Sequence, residues 1–150
     1  MTILFYSHRE KYGCFSNFSA HGFTLDGIYW PTNEHYFQAQ KFVGTDENYV
    51  EKIRLAKTPK EAANMGRDRT YPLRSDWNNV KDEIMKKGVL CKFQTHQDIR
   101  EILLSTQEQL LIENSPIDYY WGCGKDGTGK NRLGEILIEI RKQLTVISNQ

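Results

Sequence analysis

The segment "WPTNEHYFQAQKF", residues 30–42, sets one acid among aromatic and amide side chains. Glu34 falls in the first turn of the helix predicted here, where exposed N–H groups and the helix dipole favour a carboxylate. Read plainly, Glu34 only complements the helix end. Its neighbours, though, are Trp30, His35, Tyr36 and Gln38. An ionised carboxylate in an aromatic-lined pocket activates water or steadies a developing cation. His35 reads as an assisting group or as a structural hydrogen-bonder.

A second stretch, "GCGKDGTGKNRLG" at 122–134, nearly spells a P-loop: Gly124, four residues, Gly129 and Lys130. The next position is Asn131, without the hydroxyl that holds Mg²⁺. The preceding "NSPIDYYW" makes a poor buried strand, and no apolar strand ending in Asp supplies a second metal motif. A triphosphatase is therefore set aside. Gly122, Gly124, Gly127 and Gly129 still free the backbone to aim N–H groups one way, ahead of a helix N-terminus. Lys125, Lys130 and Arg132 add positive charge. The functional reading is a phosphate or ribose-phosphate site; the plain one is a flexible turn with solvated lysines.

In "NMGRDRTYPLRSDW", Arg67, Arg69 and Arg74 approach Trp77. Arginine forks suit phosphate and tryptophan suits stacking on a base; surface ion pairs and a core tryptophan are the alternative. Asp118, ahead of Tyr119, Tyr120 and Trp121, is placed to accept from ribose hydroxyls or an amine, or else closes an Asx-turn. The four histidines show no ligand-pair spacing. Neither Cys14 nor Cys123 sits in an activating frame. No metal or cofactor is expected.

The elements that must position these residues are mostly helical. "FTLDGIYW" predicts a short hairpin turning at Asp26-Gly27. Thr32 caps a helix over 33–43, ended near Gly44. A second helix spans 46–56. In "TPKEAANMG", Thr58 caps, Pro59 sits first, Glu61 closes a capping box and Gly66 stops the helix. Asp76 caps a long helix to about Phe93, and Thr95 caps the next, with Ile99, Ile102 and Leu103 inward. The last helix, from about Asn131 to Ile147, carries an apolar stripe of Leu133, Ile136, Leu137, Ile140, Leu144 and Ile147. No parallel βαβ alternation is visible. The expected fold class is mainly α, or α+β with a small N-terminal β element.

At 150 residues, 39% hydrophobic and 26% charged, the chain reads as one soluble domain, 1–150, with a real core. Its net charge of +1 is low for a protein that coats nucleic acid, although a local basic patch stays open. The N-terminus reads as no signal peptide, and no stretch approaches the roughly 20 apolar residues of a membrane span, so no membrane partner is expected. Three cysteines, odd in number and far apart, predict no disulfide framework and suit a reducing cytoplasm.

Taken in order, "FYSHREKYGCFSNF", "WPTNEHYFQAQKF", "MGRDR" with "PLRSDW", and "YYWGCGKDGTGKNRLG" with the final helix resemble the YbiA-like, or NADAR, family over nearly the whole chain. The resemblance implies a small, mostly helical hydrolase acting on N-glycosidic bonds of ribose. Some relatives cleave ribosylamino-pyrimidine phosphates of the riboflavin pathway; others remove ADP-ribose from guanine in DNA or RNA. It places the family's catalytic glutamate on Glu34, its pocket tryptophan on Trp77 and its acid before the aromatic-Trp-Gly element on Asp118. Tyr36 and Trp77 are then expected to wall in the base. Arg67, Lys130 and the loop with Gly129 take phosphate, and Trp121 and Asn131 complete the substrate-binding set. Asp118 holds ribose hydroxyls or moves a proton. The expected partner is a ribosylated heterocycle phosphate, with ADP-ribosylated DNA or RNA as the alternative and a non-catalytic nucleotide sensor as a third reading. Asn33, where relatives often carry Ser, and Cys123 in the glycine loop are departures from the pattern.

Overall fold

A computed structural model of the chain describes residues 1–148. Three of its helices begin at a capping side chain. Thr32 Oγ1 accepts from the His35 N–H at the start of α1 (Asn33–Gln40). Asp46 does so for α2 (Glu47–Arg54), and Thr58 for α3 (Pro59–Gly66), with Pro59 in the first turn. Each bond satisfies a donor that the first turn leaves open. The longer helices are α4 (Trp77–Thr95), α5 (Gln97–Ser105) and α6 (Arg132–Ser148). Among the described residues there are also a 3-10 turn at Gly13–Phe15 and four short strands: β1 (Thr2–Phe5), β2 (Phe23–Leu25), β3 (Ile28–Trp30) and β4 (Leu110–Glu113). The fold is mainly α with a small β content, as the sequence predicts.

The described residues form two compact units, one of residues 20–92 and one of residues 1–19 with 93–148. In the first, β2 and β3 pair antiparallel, with Phe23 opposite Trp30. The turn between them puts both Asp26 (φ 52°) and Gly27 (φ 82°) in the left-handed region, the demand of a two-residue hairpin turn. Helix α1 packs on α2, α3 and β3. Tyr36 is wedged edge-on between Phe23 and Trp30, with centroids 5.8 and 5.7 Å away. Helix α4 approaches closely at Gly88, where a Cβ would lie 2.7 Å from the Tyr36 ring. Asn33 donates from its amide to Met85 Sδ on α4 at 3.4 Å. Asp76 holds both Arg74 Nε (2.6 Å) and Nη2 (3.1 Å).

His35 is almost fully buried, at 1% exposure, and its protonation state follows from its partners. The Ala56 carbonyl, 2.9 Å from Nε2, only accepts, so Nε2 carries the proton. Nδ1 is then the acceptor for the Thr32 hydroxyl at 2.8 Å. Burial holds the ring below its ordinary 6.5, against smaller opposing effects of the Ala56 carbonyl and the Glu61 charge. The unfolded ring therefore binds a proton more readily than the folded one. Stability from this group is fully present above pH 6.5 and is lost as pH falls below it. Thermal melts at pH 7 and pH 5 should show a larger fall in Tm for the wild type than for His35→Gln. The variant starts lower at pH 7 but lacks this acid-dependent loss; equal slopes would remove His35 as the cause.

In the other unit, β1 and β4 pair in parallel, Ile3 opposite Leu111 and Phe5 opposite Glu113. The sequence expectation lacks this pair. Two four-residue strands over a hundred residues apart leave no local periodicity to read. Helix α6 lies on β4 and α5 packs on α6. Leu133, Ile136, Leu137, Ile140 and Leu144 are buried as the stripe predicts, but Ile147 is exposed. Helix α5 starts at Gln97 rather than behind a Thr95 cap; Thr95 closes α4, and His96 at the boundary makes no side-chain cap bond. Buried Arg141 ties α6 to the segment before β4 through Thr106 Oγ1 (2.9 Å) and the Gln109 carbonyl (2.8 Å). Among the described residues, no helix is long and apolar enough to cross a membrane.

Candidate active site

Glu34, Phe37, Gln38 and Lys41 stand at i, i+3, i+4 and i+7 from the start of α1, so they share one helix face. Glu34 is 7% exposed, and its Oε2 accepts from Gln38 Nε2 at 2.8 Å. Phe37 packs against Trp77, with centroids 5.1 Å apart, and the Lys41 ammonium lies 5.9 Å from the Phe37 centroid. Trp77 is itself buried, at 7% exposure. Tyr36 points the opposite way, into the hairpin core. Burial there pushes its hydroxyl up to about 12, with smaller contributions from Asp26 and Cys91.

Lys41 is absent from the sequence expectation. Burial lowers its ammonium from 10.5 to about 8. The charges of Arg69, Arg67 and Lys81 act in the same direction, and Glu34 opposes them. An amine that exchanges its proton near neutral pH therefore lies within the field of a buried carboxylate and of three cations. Its Nζ donates to the Gly66 carbonyl at 3.4 Å, and Arg69 donates to the same oxygen. Arg67, exposed at the end of α3, reaches Asn64 Oδ1 at 3.5 Å. The signal for Lys41 was its heptad spacing from Glu34; the burial that tunes it comes from α3 and the segment after it.

The glycine loop is built differently from a phosphate nest. The N–H groups of Gly129, Lys130, Asn131, Arg132 and Leu133 donate to the carbonyls of Cys123, Tyr119, Gly122, Tyr120 and Trp121. The start of α6 is thus capped by the chain's own aromatic segment. Gly129 serves close packing, because a Cβ on it would lie 2.6 Å from the Cys123 carbonyl carbon. Gly124 takes a left-handed φ of 73° under the Tyr119 ring. Lys130 Nζ lies 5.5 Å over the Tyr120 ring. Asp118 Oδ1 accepts from the Tyr120 (3.0 Å) and Trp121 (2.8 Å) N–H groups, the Asx-turn reading, and so orders the segment that caps α6. Asn131, at φ 53°, accepts from the Glu113 N–H and donates to the Leu111 carbonyl, both at 2.9 Å. Its amide is spent on β4. A strand does precede the glycine loop, but residues 114–121 intervene, unlike the direct strand-to-turn step of a P-loop.

The fold is that of a small, mainly helical protein with little β-structure, carrying a buried acid near the start of α1 and a glycine loop ahead of α6. The chain belongs to the NADAR family, whose domain model matches residues 4–145. It is 53% identical over 145 residues to an N-glycosidase of Nostoc punctiforme, covering 96% of this chain and 93% of that one. To the N-glycosidase YbiA of Escherichia coli K12 it is 51% identical over 144 residues, covering 96% and 89%. The NMR structure of the E. coli protein superposes with a TM-score of 0.91 at 49% identity, over 99% of this chain and 88% of that one. The chloroplastic riboflavin biosynthesis protein PYRR of Zea mays is 42% identical over 155 residues, covering 95% of this chain but 25% of its own length.

Proposed function

We propose that this enzyme is an N-glycosidase that hydrolyses the ribose C1–N bond of ribosylamino-pyrimidine phosphates formed in riboflavin biosynthesis. The observation that carries this reading is the buried Glu34 carboxylate on the same helix face as the Lys41 amine. The names of the Nostoc, E. coli and maize relatives support the bond class and the pathway.

When the C1–N bond breaks, its electron pair goes to nitrogen and the ribose becomes cation-like. Glu34 stabilises that charge at low dielectric and orients a water toward C1. The departing nitrogen takes a proton from the Lys41 ammonium, and the attacking water loses one to Glu34. One water is consumed, and the two side chains regain their starting states by exchange with solvent. Arg67, Arg69 and Lys81, the cations around Lys41, offer charge for the substrate phosphate. On the strength of the family motif, Asp118, Trp121, Gly129, Lys130 and Asn131 are assigned ribose- and phosphate-binding roles, and Tyr36 and Trp77 are assigned to the base. Cys14, Cys91 and Cys123 stand as thiols, which suits a cytoplasmic setting.

The test is to incubate the protein with a ribosylamino-pyrimidine phosphate and, in parallel, with ADP-ribosylated guanine DNA, and to follow the freed base by chromatography. Release from the first supports the proposal. Release from the second alone moves the substrate to nucleic acid, and release from neither overturns the glycosidase reading.

Lys41 gives a further expected result. As a proton donor it works while charged, so kcat should decline above about pH 8 as the ammonium titrates. Lys41→Met should lower kcat by about 10²-fold and flatten the alkaline limb. A pH–rate profile that keeps this limb in the variant would assign it to another group.

A further inference from the structure

We propose that Gln38, seated on the bare backbone of Gly66, is a positioning residue that fixes the Glu34 carboxylate for the reaction. The proposal rests on the glycosidase reading for its consequence and on geometry for its substance. Gln38 is 6% exposed. Its Nε2 lies 2.8 Å from Glu34 Oε2, and a carboxylate only accepts, so the amide nitrogen must face it. That choice forces Oε1 the other way, where it is buried with no hydrogen-bond partner. A buried carbonyl left unpaired is unfavourable. The protein could avoid it with Leu or Met at this position, which would fill the space without an orphaned oxygen. Retaining the amide makes sense for what its other end does.

Gly66 explains how the amide is held. A Cβ at residue 66 would sit inside contact distance of Gln38 Oε1, 2.7 Å from its Cδ and 2.9 Å from its Cβ. Helix α3 can therefore press its backbone onto Gln38 only where a side chain is missing. The same residue's carbonyl receives Lys41 and Arg69. One glycine of α3 thus sets the amide that orients the acid and anchors the amine. The sequence reads Gly66 as a helix stop; the structure gives it a second use.

The experiment compares wild type with Gln38→Met and the isosteric Gln38→Glu. Three readouts are taken: Tm, the pH–rate profile of base release, and the Glu34 carboxyl titration followed by NMR with [δ-¹³C]glutamate. Loss of the amide donor disfavours the ionised form of Glu34, so in Gln38→Met its titration moves to higher pH. The acid limb of kcat follows it, kcat falls about tenfold at neutral pH, and Tm stays close to wild type. In Gln38→Glu two carboxyls face each other, and the acid limb moves up further. A merely structural Gln38 predicts the reverse: a lower Tm with titration and acid limb unmoved. An unmoved titration in both variants overturns the proposal. If the wild type releases no base from any substrate, the glycosidase reading fails, while the titration still decides whether Gln38 governs Glu34.

Discussion

Glu34→Gln is expected to abolish base release almost completely while leaving the protein folded. The substitution keeps the shape of the side chain and an oxygen that can accept from Gln38 Nε2, so the contact at 2.8 Å survives. It removes the negative charge. In water a carboxylate a few ångströms from a cation contributes only about 1 kcal/mol, but at 7% exposure water screens Glu34 far less and the interaction grows severalfold. Removal of one preorganised electrostatic group of this kind costs about 10²–10³ in kcat. Glu34 has the added task of taking a proton from water, which an amide cannot do, so the loss should reach about 10³-fold, near 4 kcal/mol of barrier. KM should change little, because the ground-state substrate carries no charge at C1. The measurement is single-turnover release of the base with Tm recorded alongside. A Tm within a few degrees of wild type and undiminished turnover would remove Glu34 from the mechanism.

The parts of this fold that sequence could reveal are those written within a few residues. Thr32 and Thr58 cap the helices they were expected to cap because a cap is a contact between positions three apart. The Asp26-Gly27 turn is legible for the same reason. The Leu133–Leu144 stripe repeats often enough to declare its inner face. Long-range pairing is different. Ile3 and Leu111 meet across β1 and β4, yet nothing near Ile3 marks its partner. The site divides along the same line. Glu34 stands out as an acid in the first turn among aromatics. Lys41 does not, since its shift comes from burial and from arginines some 26–28 positions away. Gln38 looks like an ordinary helix amide until Gly66 is seen pressed against it. The glycine loop is conspicuous in sequence, but its donors are taken by carbonyls of residues 119–123, which no motif could state.

Asn131→Ala is expected to be among the most destabilising single changes in this chain, and it would separate two meanings of the Gly-Lys-Asn motif. Asn131 enters α6 with φ 53°, a conformation that costs alanine about 1 kcal/mol or more and that asparagine tolerates. Its amide also stands in for a neighbouring strand, accepting from the Glu113 N–H and donating to the Leu111 carbonyl on β4. Removing it leaves two backbone groups of a half-buried strand without these partners, at about 1–3 kcal/mol for each group that water cannot reach. The expected loss is about 2–4 kcal/mol, enough to lower Tm by several degrees in a chain of this size. Asn131→Gly accepts the backbone angle but not the bonds, and Asn131→Asp keeps one bond while turning an oxygen toward the Leu111 carbonyl, so both should fall between. Gly134 belongs to the same device. One turn further along α6, a Cβ there would meet the Leu111 carbonyl and lie 2.6 Å from Asn131 Oδ1, so the helix reaches the strand only with glycine at that step. Denaturant melts of the three variants, with KM measured on each, decide the matter. If Asn131 met the substrate instead, KM would rise with Tm unchanged; a fall in Tm in the order Asn, then Asp and Gly, then Ala makes the asparagine a clasp between α6 and β4.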